Sequence, residues 1–334
     1  FRRVLFRSFD NDVIGNTWNQ SDNKGSTKDN PYLIESVGHL KYLIEQVEAG
    51  KTYVDKFFKL TTDIKVTADT WTPIGISSAK PFSGNFDGGG HTISGELKGS
   101  FSNDLKYFGF FGYLTTTSSM LIENIHIAAN VTWSFASPEG TSTSYFGVGG
   151  VIGNGSTQKI TVHNCTMSGE MKISNGSLGY GNLYIGGIIG YTTGTFKNCS
   201  AIGKINVSCK GQMVMIGGIV GGNYSTTNET KHCISTSSIT LSNTEHSNTN
   251  YAISVGGIGG DIGGKILGCC NQGSITGHSL SSVDVGGIAG FAELAKCHLN
   301  RNLTTDFSVT SGETVRLGYL IGLLKNSTVY SCEI

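Results

Sequence analysis

YIGGIIG, residues 184–190, decides the fold, because the chain writes this stretch repeatedly. Its core recurs as FGFFG at 108–112, VGGVIG at 148–153, IGGIVG at 216–221, VGGIGG at 255–260, VGGIAG at 285–290 and LGYLIG at 317–322. The seven closing glycines, Gly112, Gly153, Gly190, Gly221, Gly260, Gly290 and Gly322, stand 30 to 41 residues apart. That is the spacing of a solenoid rather than of one globular core.

A second signal runs in phase with the first. Some seven to thirteen residues after each closing glycine come an apolar position, a polar corner, and then Cys or its apolar equivalent: Ile125, Cys165, Cys199, Cys233, Cys269, Cys297 and Cys332. An alternating stretch such as GKINV, 203–207, follows. Each repeat therefore reads as about three short strands separated by corners, which is one coil of a β-solenoid. A coil of some thirty residues cannot bury its own apolar side chains. It is stable only when stacked on others about 4.8 Å away in continuous parallel sheets. The expected class is all-β, a parallel β-helix, right-handed by the general crossover rule.

Composition agrees. Only 14% of the 334 residues are charged and 48 are glycine, about twice the usual share. Formal net charge is zero, so no overall basic field draws nucleic acid. No run of 18 apolar residues occurs, so no membrane span is expected. Four prolines and a periodic 38% hydrophobic content argue against disorder.

Residues 1–8 lack this patterning and are set apart as a non-native lead, since RVLFRS at 3–8 resembles the translation of a sequencing-adapter end. Residues 9–107 are expected to form an N-terminal cap with the first coils, and 108–334 the seven repeats, cut short at the C-terminus. A missing export signal then carries no weight. Within the cap, 36–49 reads as an amphipathic helix: Val37, Leu40, Leu43, Ile44 and Val47 share one face, Ser36 can cap it and Gly50 ends it. Such a helix would cover the open end of the first coil. KFFKLTTDI, 56–64, alternates as a strand, and FSGNFDGGGHTISGEL, 82–97, gives two strands around a glycine turn.

The order NPYLI, helix, FFKLTTDI, WTPIG, FSGNFDGGGHTISG, FGFFG and then GGIIG with NC-type strands resembles the GLUG-repeat proteins, β-helical proteins of bacteria, especially gut Bacteroidetes. The resemblance covers about residue 29 to the end. It implies a secreted or cell-surface protein, extracellular or on the outer membrane, of adhesin type. The same repeats also occur as accessory regions of large secreted peptidases of the immunoglobulin A protease type. The family motif carries no catalytic residue. Departures are LGYLIG, which lacks the double glycine, and Ser237, where other copies have Gly.

A ladder position that accepts Ile125 is an apolar one, so its cysteines read as stacked buried thiols. Cys209 and Cys270 fall off the ladder and are expected to be exposed. His163, His232 and His298 lie close to ladder cysteines, yet no CxxC or HxxxH spacing supports zinc. GGIGGD, 256–261, resembles the start of a calcium β-roll nonapeptide but has no tandem copy. No metal or other cofactor is implied. Asp87, Glu96, Asp104, Glu123, Glu139, Glu170, Glu229, Asp261, Asp284 and Glu293 sit at different points of their repeats, so no carboxylate face recurs. His91 reads as a turn residue, and no GxSxG, P-loop or HExxH occurs.

The segments between each alternating stretch and the next glycine stretch vary most: 134–146, 174–184, 208–215, 242–254 and 277–284. Stacking would align them along one edge. Phe135, Tyr145, Tyr180 and Tyr251 fall there, with Trp133 just before. These five are the candidate ligand-binding residues, facing a host or microbial glycan, mucin or surface protein. The functional expectation is a non-enzymatic binding or adhesion module. The alternative is a non-catalytic accessory region of a larger secreted peptidase or polysaccharide-degrading enzyme.

Overall fold

The structure is a computed structural model that describes residues 24–67, 70–100, 105–135, 145–175, 182–210, 213–244, 253–293, 295–298, 300–303 and 307–333. It is an all-β parallel solenoid with one helix among the described residues. Four sheets run along it. Sheet 1 has ten strands, from Tyr32–Ile34 to Thr328–Tyr330, and sheet 2 has eleven, from Ile64–Val66 to Phe307–Ser311. Sheets 3 and 4 have seven each, from Tyr107–Phe108 to Val315–Gly318 and from Phe111–Leu114 to Ile321–Lys325. One coil reads Ile160–His163, Thr166–Asn175, Asn182–Gly186, Ile189–Thr192, visiting sheets 1 to 4 in turn.

The coil thus carries four strands where the sequence suggested about three. The difference lies in the glycine stretch, which bends sharply at its middle, so that VGGVIG ends Tyr145–Gly149 in sheet 3 and opens Ile152–Gly155 in sheet 4. Each glycine of the motif marks a close approach. A Cβ on Gly149 would stand 2.1 Å from the Ile152 carbonyl oxygen, and one on Gly150 2.6 Å from Met167 Sδ in sheet 2. A Cβ on Gly153 would lie 2.4 Å from the Phe108 amide nitrogen of the preceding coil. Sheets 3 and 4 therefore meet backbone to backbone in a narrow arch that side chains would hold apart. KFFKLTTDI is also split, without a glycine: it bends after Phe57–Leu60 in sheet 1 and resumes as Ile64–Val66 in sheet 2.

The corner between sheets 1 and 2 explains the residue before each ladder cysteine. Asn124, Asn164 and Asn198 adopt φ of 54°, 53° and 55°, and His232 and Gly268 take the same place at 51° and 58°. Asparagine tolerates this left-handed region better than most residues. Its amide also extends the ladder, Asn164 Nδ2 donating to Asn124 Oδ1 at 2.8 Å and Asn124 Nδ2 to Asp87 Oδ1 at 2.9 Å.

Cys165, Cys199, Cys233 and Cys269 stand in the next column, with Ile125 below, and all are buried. Cys297 does not join them. It pairs with Ile266 as an inward residue of sheet 1, while Asn300 takes the ladder place. Asn300 is buried and fully used: its Oδ1 accepts from Cys269 N at 2.8 Å and its Nδ2 donates to Ile266 O at 2.9 Å. Cys332 lies one step further, 3.9 Å from Asn300 Nδ2. Cys209 corrects a second expectation. It is an inward residue of sheet 2 with no exposed surface, and burial pushes its thiol up to about 12. Cys270 is half-buried.

The helix, α1, spans Val37–Glu48, with Ser36 Oγ accepting from His39 N at 3.2 Å. It follows the first strand of sheet 1 and packs against Ile64–Val66, the first strand of sheet 2. Its Leu40, Leu43, Ile44 and Val47 join the apolar core that runs the length of the solenoid. This helix is not long and apolar enough to cross a membrane.

Candidate functional site

The edge where sheet 2 hands over to sheet 3 is also the mouth of the glycine arch. Outward positions of sheet 3 stack as Tyr107, Gly147, Tyr184, Met215, Ser254, Asp284 and Arg316. Facing them, the residue after each closing glycine stacks in sheet 4 as Tyr113, Asn154, Tyr191, Gly222, Asp261, Phe291 and Leu323. Rings from neighbouring coils therefore meet across the mouth.

Tyr184 is the hub. Its ring centroid lies 5.0 Å from that of Tyr191, 5.9 Å from Tyr224 and 6.1 Å from Tyr145. Gly222 makes room for it, since a Cβ there would stand 2.6 Å from Tyr184 Cδ1. Tyr191 adds contacts of 6.1 Å to Tyr145 and 5.8 Å to Tyr224, and Tyr107 and Tyr113 pair at 5.2 Å one coil pair earlier. Tyr184 is buried, Tyr191 is half-buried, and Tyr145 and Tyr224 are 51% and 41% exposed. The result is a surface of tyrosine rings on a buried tyrosine floor.

A carboxylate closes the cluster. The Tyr184 hydroxyl donates to the Tyr224 hydroxyl at 3.3 Å, and Tyr224 donates to Asp261 Oδ2 at 2.5 Å. Burial pushes the Asp261 carboxyl up to about 6, against the lowering effect of the Tyr224 hydrogen bond. Burial also raises the Tyr184 and Tyr224 hydroxyls above their usual range and Tyr107 to about 12, so all three stay protonated donors at neutral pH. Flat rings flanked by hydroxyl donors and a carboxylate acceptor suit a ligand with apolar faces and hydroxyl edges.

Of the five expected site residues, Tyr145 stands in this cluster. Trp133 does not reach the surface: it is fully buried, its ring 4.5 Å from that of Phe108. It points inward because it pairs with Ile173 in an inward column of sheet 2. Phe135 ends the strand His126–Phe135 and pairs with Asn175. Tyr180 and Tyr251 lie outside the described residues. Tyr107, Tyr113, Tyr191, Tyr224 and Asp261 were missed. Register after the closing glycine would have revealed Tyr113, Tyr191 and Asp261, because all three occupy the same step of the repeat.

Comparison with known proteins gives three findings. The GLUG motif family matches residues 181–206, which take in the sheet 3 and sheet 4 strands of one coil and run into the sheet 2 strand of the next. A protein of Evansella cellulosilytica, provisionally named a Gly-rich membrane protein, is 33% identical over 110 residues. The match takes in 31% of this chain, and the chain spans only 12% of that relative. A crystal structure from Bacteroides ovatus, provisionally named an immunoglobulin A1 protease, superposes with a TM-score of 0.61 at 20% identity. It covers 91% of this chain and 85% of that one, a likeness of fold.

Proposed function

We propose that this chain, a β-helical protein of the GLUG-repeat kind, is a non-enzymatic binding module that works outside the cell, holding a glycan or glycoprotein ligand against the tyrosine edge of its solenoid. One observation carries the reading: Tyr145, Tyr184, Tyr191 and Tyr224, from successive coils, converge on one exposed edge beside the Asp261 carboxylate. The Tyr145 and Tyr224 rings, 51% and 41% exposed, already lie against the buried Tyr184 ring and so have less conformational freedom to lose on binding.

A glycan array and a mucin-binding assay test this. Wild type should bind, and the triple variant Tyr145→Ala, Tyr191→Ala, Tyr224→Ala should lose binding by about tenfold or more, at roughly 1–3 kcal/mol for each stacking ring with partial overlap. Equal binding by the two proteins, at equal stability, would rule the edge out.

The alternative, an accessory region of a larger secreted peptidase, draws support from the fold shared with the Bacteroides ovatus protein. The two readings separate when the chain is assayed alone: the accessory reading expects no retained ligand.

A further inference from the structure

The outer face of sheet 1, a separate surface from the tyrosine edge, carries an arrangement the fold does not need. In four successive coils its strands place Lys197, Lys231, Lys265 and Lys296 outward. Lys197 and Lys231 are direct register partners, and so are Lys265 and Lys296. Like charges directly opposite each other across paired strands are destabilising. Elsewhere charges find opposite partners: Lys172 with Glu170, Arg316 with Asp284, Lys325 with Glu293, and, on the acidic start of this same face where Asp87 and Glu123 are register partners, Lys28 with Glu123. Here Lys265 has Glu229 at 3.1 Å, while Lys197, Lys231 and Lys296 have no carboxylate within ion-pair reach among the described residues. His163 precedes Lys197 in the same column, 3.8 Å from Glu123, and His298 stands on the same strand as Lys296, so five successive coils each carry a Lys or His on this face.

We propose that this strip binds a linear anionic polysaccharide laid along the solenoid axis. The cations recur once per coil, with coils about 4.8 Å apart, in a line that steps two residues sideways between Lys231, whose register partner is Leu267, and Lys265, whose partner is Glu229. A polymer bearing acidic groups at intervals can follow such a line, and the excess of three unpaired lysines on a chain of zero formal net charge makes the attraction local. Duplex nucleic acid fits less well, with one charge per about 1.7 Å of axis. Single strands want stacking rings, and from His163 to Lys296 the outward positions of sheet 1 hold no Tyr, Trp or Phe. Sulfate and carboxylate groups share the recognising chemistry, and the experiment separates them.

Wild type and the triple variant Lys197→Gln, Lys231→Gln, Lys296→Gln would be titrated with heparin, with polygalacturonate and with neutral dextran over a series of salt concentrations. Wild type should bind at least one of the two polyanions and not dextran. The variant should bind at least about tenfold more weakly, with a log affinity against log salt slope smaller by about two. Its thermal midpoint should not fall, because the lysines repel one another. The variant Tyr191→Ala, Tyr224→Ala should keep polyanion binding, so the strip can succeed or fail independently of the tyrosine edge. No binding of either polyanion by wild type, or no dependence on the lysines, would overturn the proposal. So would duplex DNA binding as tight as the glycan, or a lysine-dependent dimer in sedimentation that excludes the glycan.

Discussion

Asp261 shows how much a single residue can store in a coil. Its carboxyl is buried, its ordinary value of 3.8 is raised to about 6, and its partner is a neutral hydroxyl rather than a cation. In the unfolded chain the group loses its proton near pH 4, whereas in the fold it holds the proton until about pH 6. Between these values the folded state binds the extra proton, so stability falls as pH rises through the window and levels off above it. Two units correspond to about 3 kcal/mol. Asp261→Asn should therefore raise the thermal midpoint at pH 7 and have little effect below pH 4, as read by calorimetry across that range. A pH-independent loss of stability would mean that the charged form is the one the fold prefers. This residue was visible in the sequence only as the end of GGIGGD, and its partner Tyr224 lies three residues past a different closing glycine. The ladder cysteines were more legible, since Ile125 marks their column as apolar. Cys297 misled because sheet 1 offers a second inward column three residues earlier, and a small apolar thiol satisfies either.

At the scale of the element, the glycine stretch was read correctly as the repeat unit and wrongly as one strand. Its bend has no proline, asparagine or serine to announce it. The bend comes instead from the close contacts that missing side chains permit. Those contacts are unequal to ordinary turn preferences, and two glycines separate the effects. A Cβ on Gly190 would lie 2.4 Å from the Val148 amide nitrogen of the preceding coil, a backbone atom held on both sides. Gly90 has φ of 77° and nothing within 4 Å of a Cβ. Gly190→Ala should cost about 3 kcal/mol or more through overpacking, and Gly90→Ala about 1–2 kcal/mol through its backbone angle alone. Denaturant unfolding of the two variants would measure the difference. Equal costs would show that the arch does not depend on close approach of sheets 3 and 4.

For the whole molecule, stacking turns local choices into long surfaces. A register position repeated once per coil becomes a column, so tyrosines after closing glycines become an edge, and lysines in two neighbouring outward columns of sheet 1 become a strip. The sequence disclosed the periodicity and the helix, because each depends on local pattern. It could not disclose that sheets 3 and 4 fold onto each other, and with that the partners of Tyr145 stayed hidden: Tyr184 and Tyr191 come from two other strands, and Tyr224, which meets both of them, follows the end of a third. That convergence is the centre of the account. Hydroxyl-radical footprinting of the folded chain, with and without a bound mucin glycan, tests it most directly, because tyrosine oxidation reports ring access one residue at a time. The account predicts that ligand lowers oxidation of Tyr145, Tyr191 and Tyr224 severalfold and leaves Tyr319 and Tyr330 of the last coil unchanged. Undiminished oxidation of Tyr145, Tyr191 and Tyr224 while the glycan stays bound would contradict it.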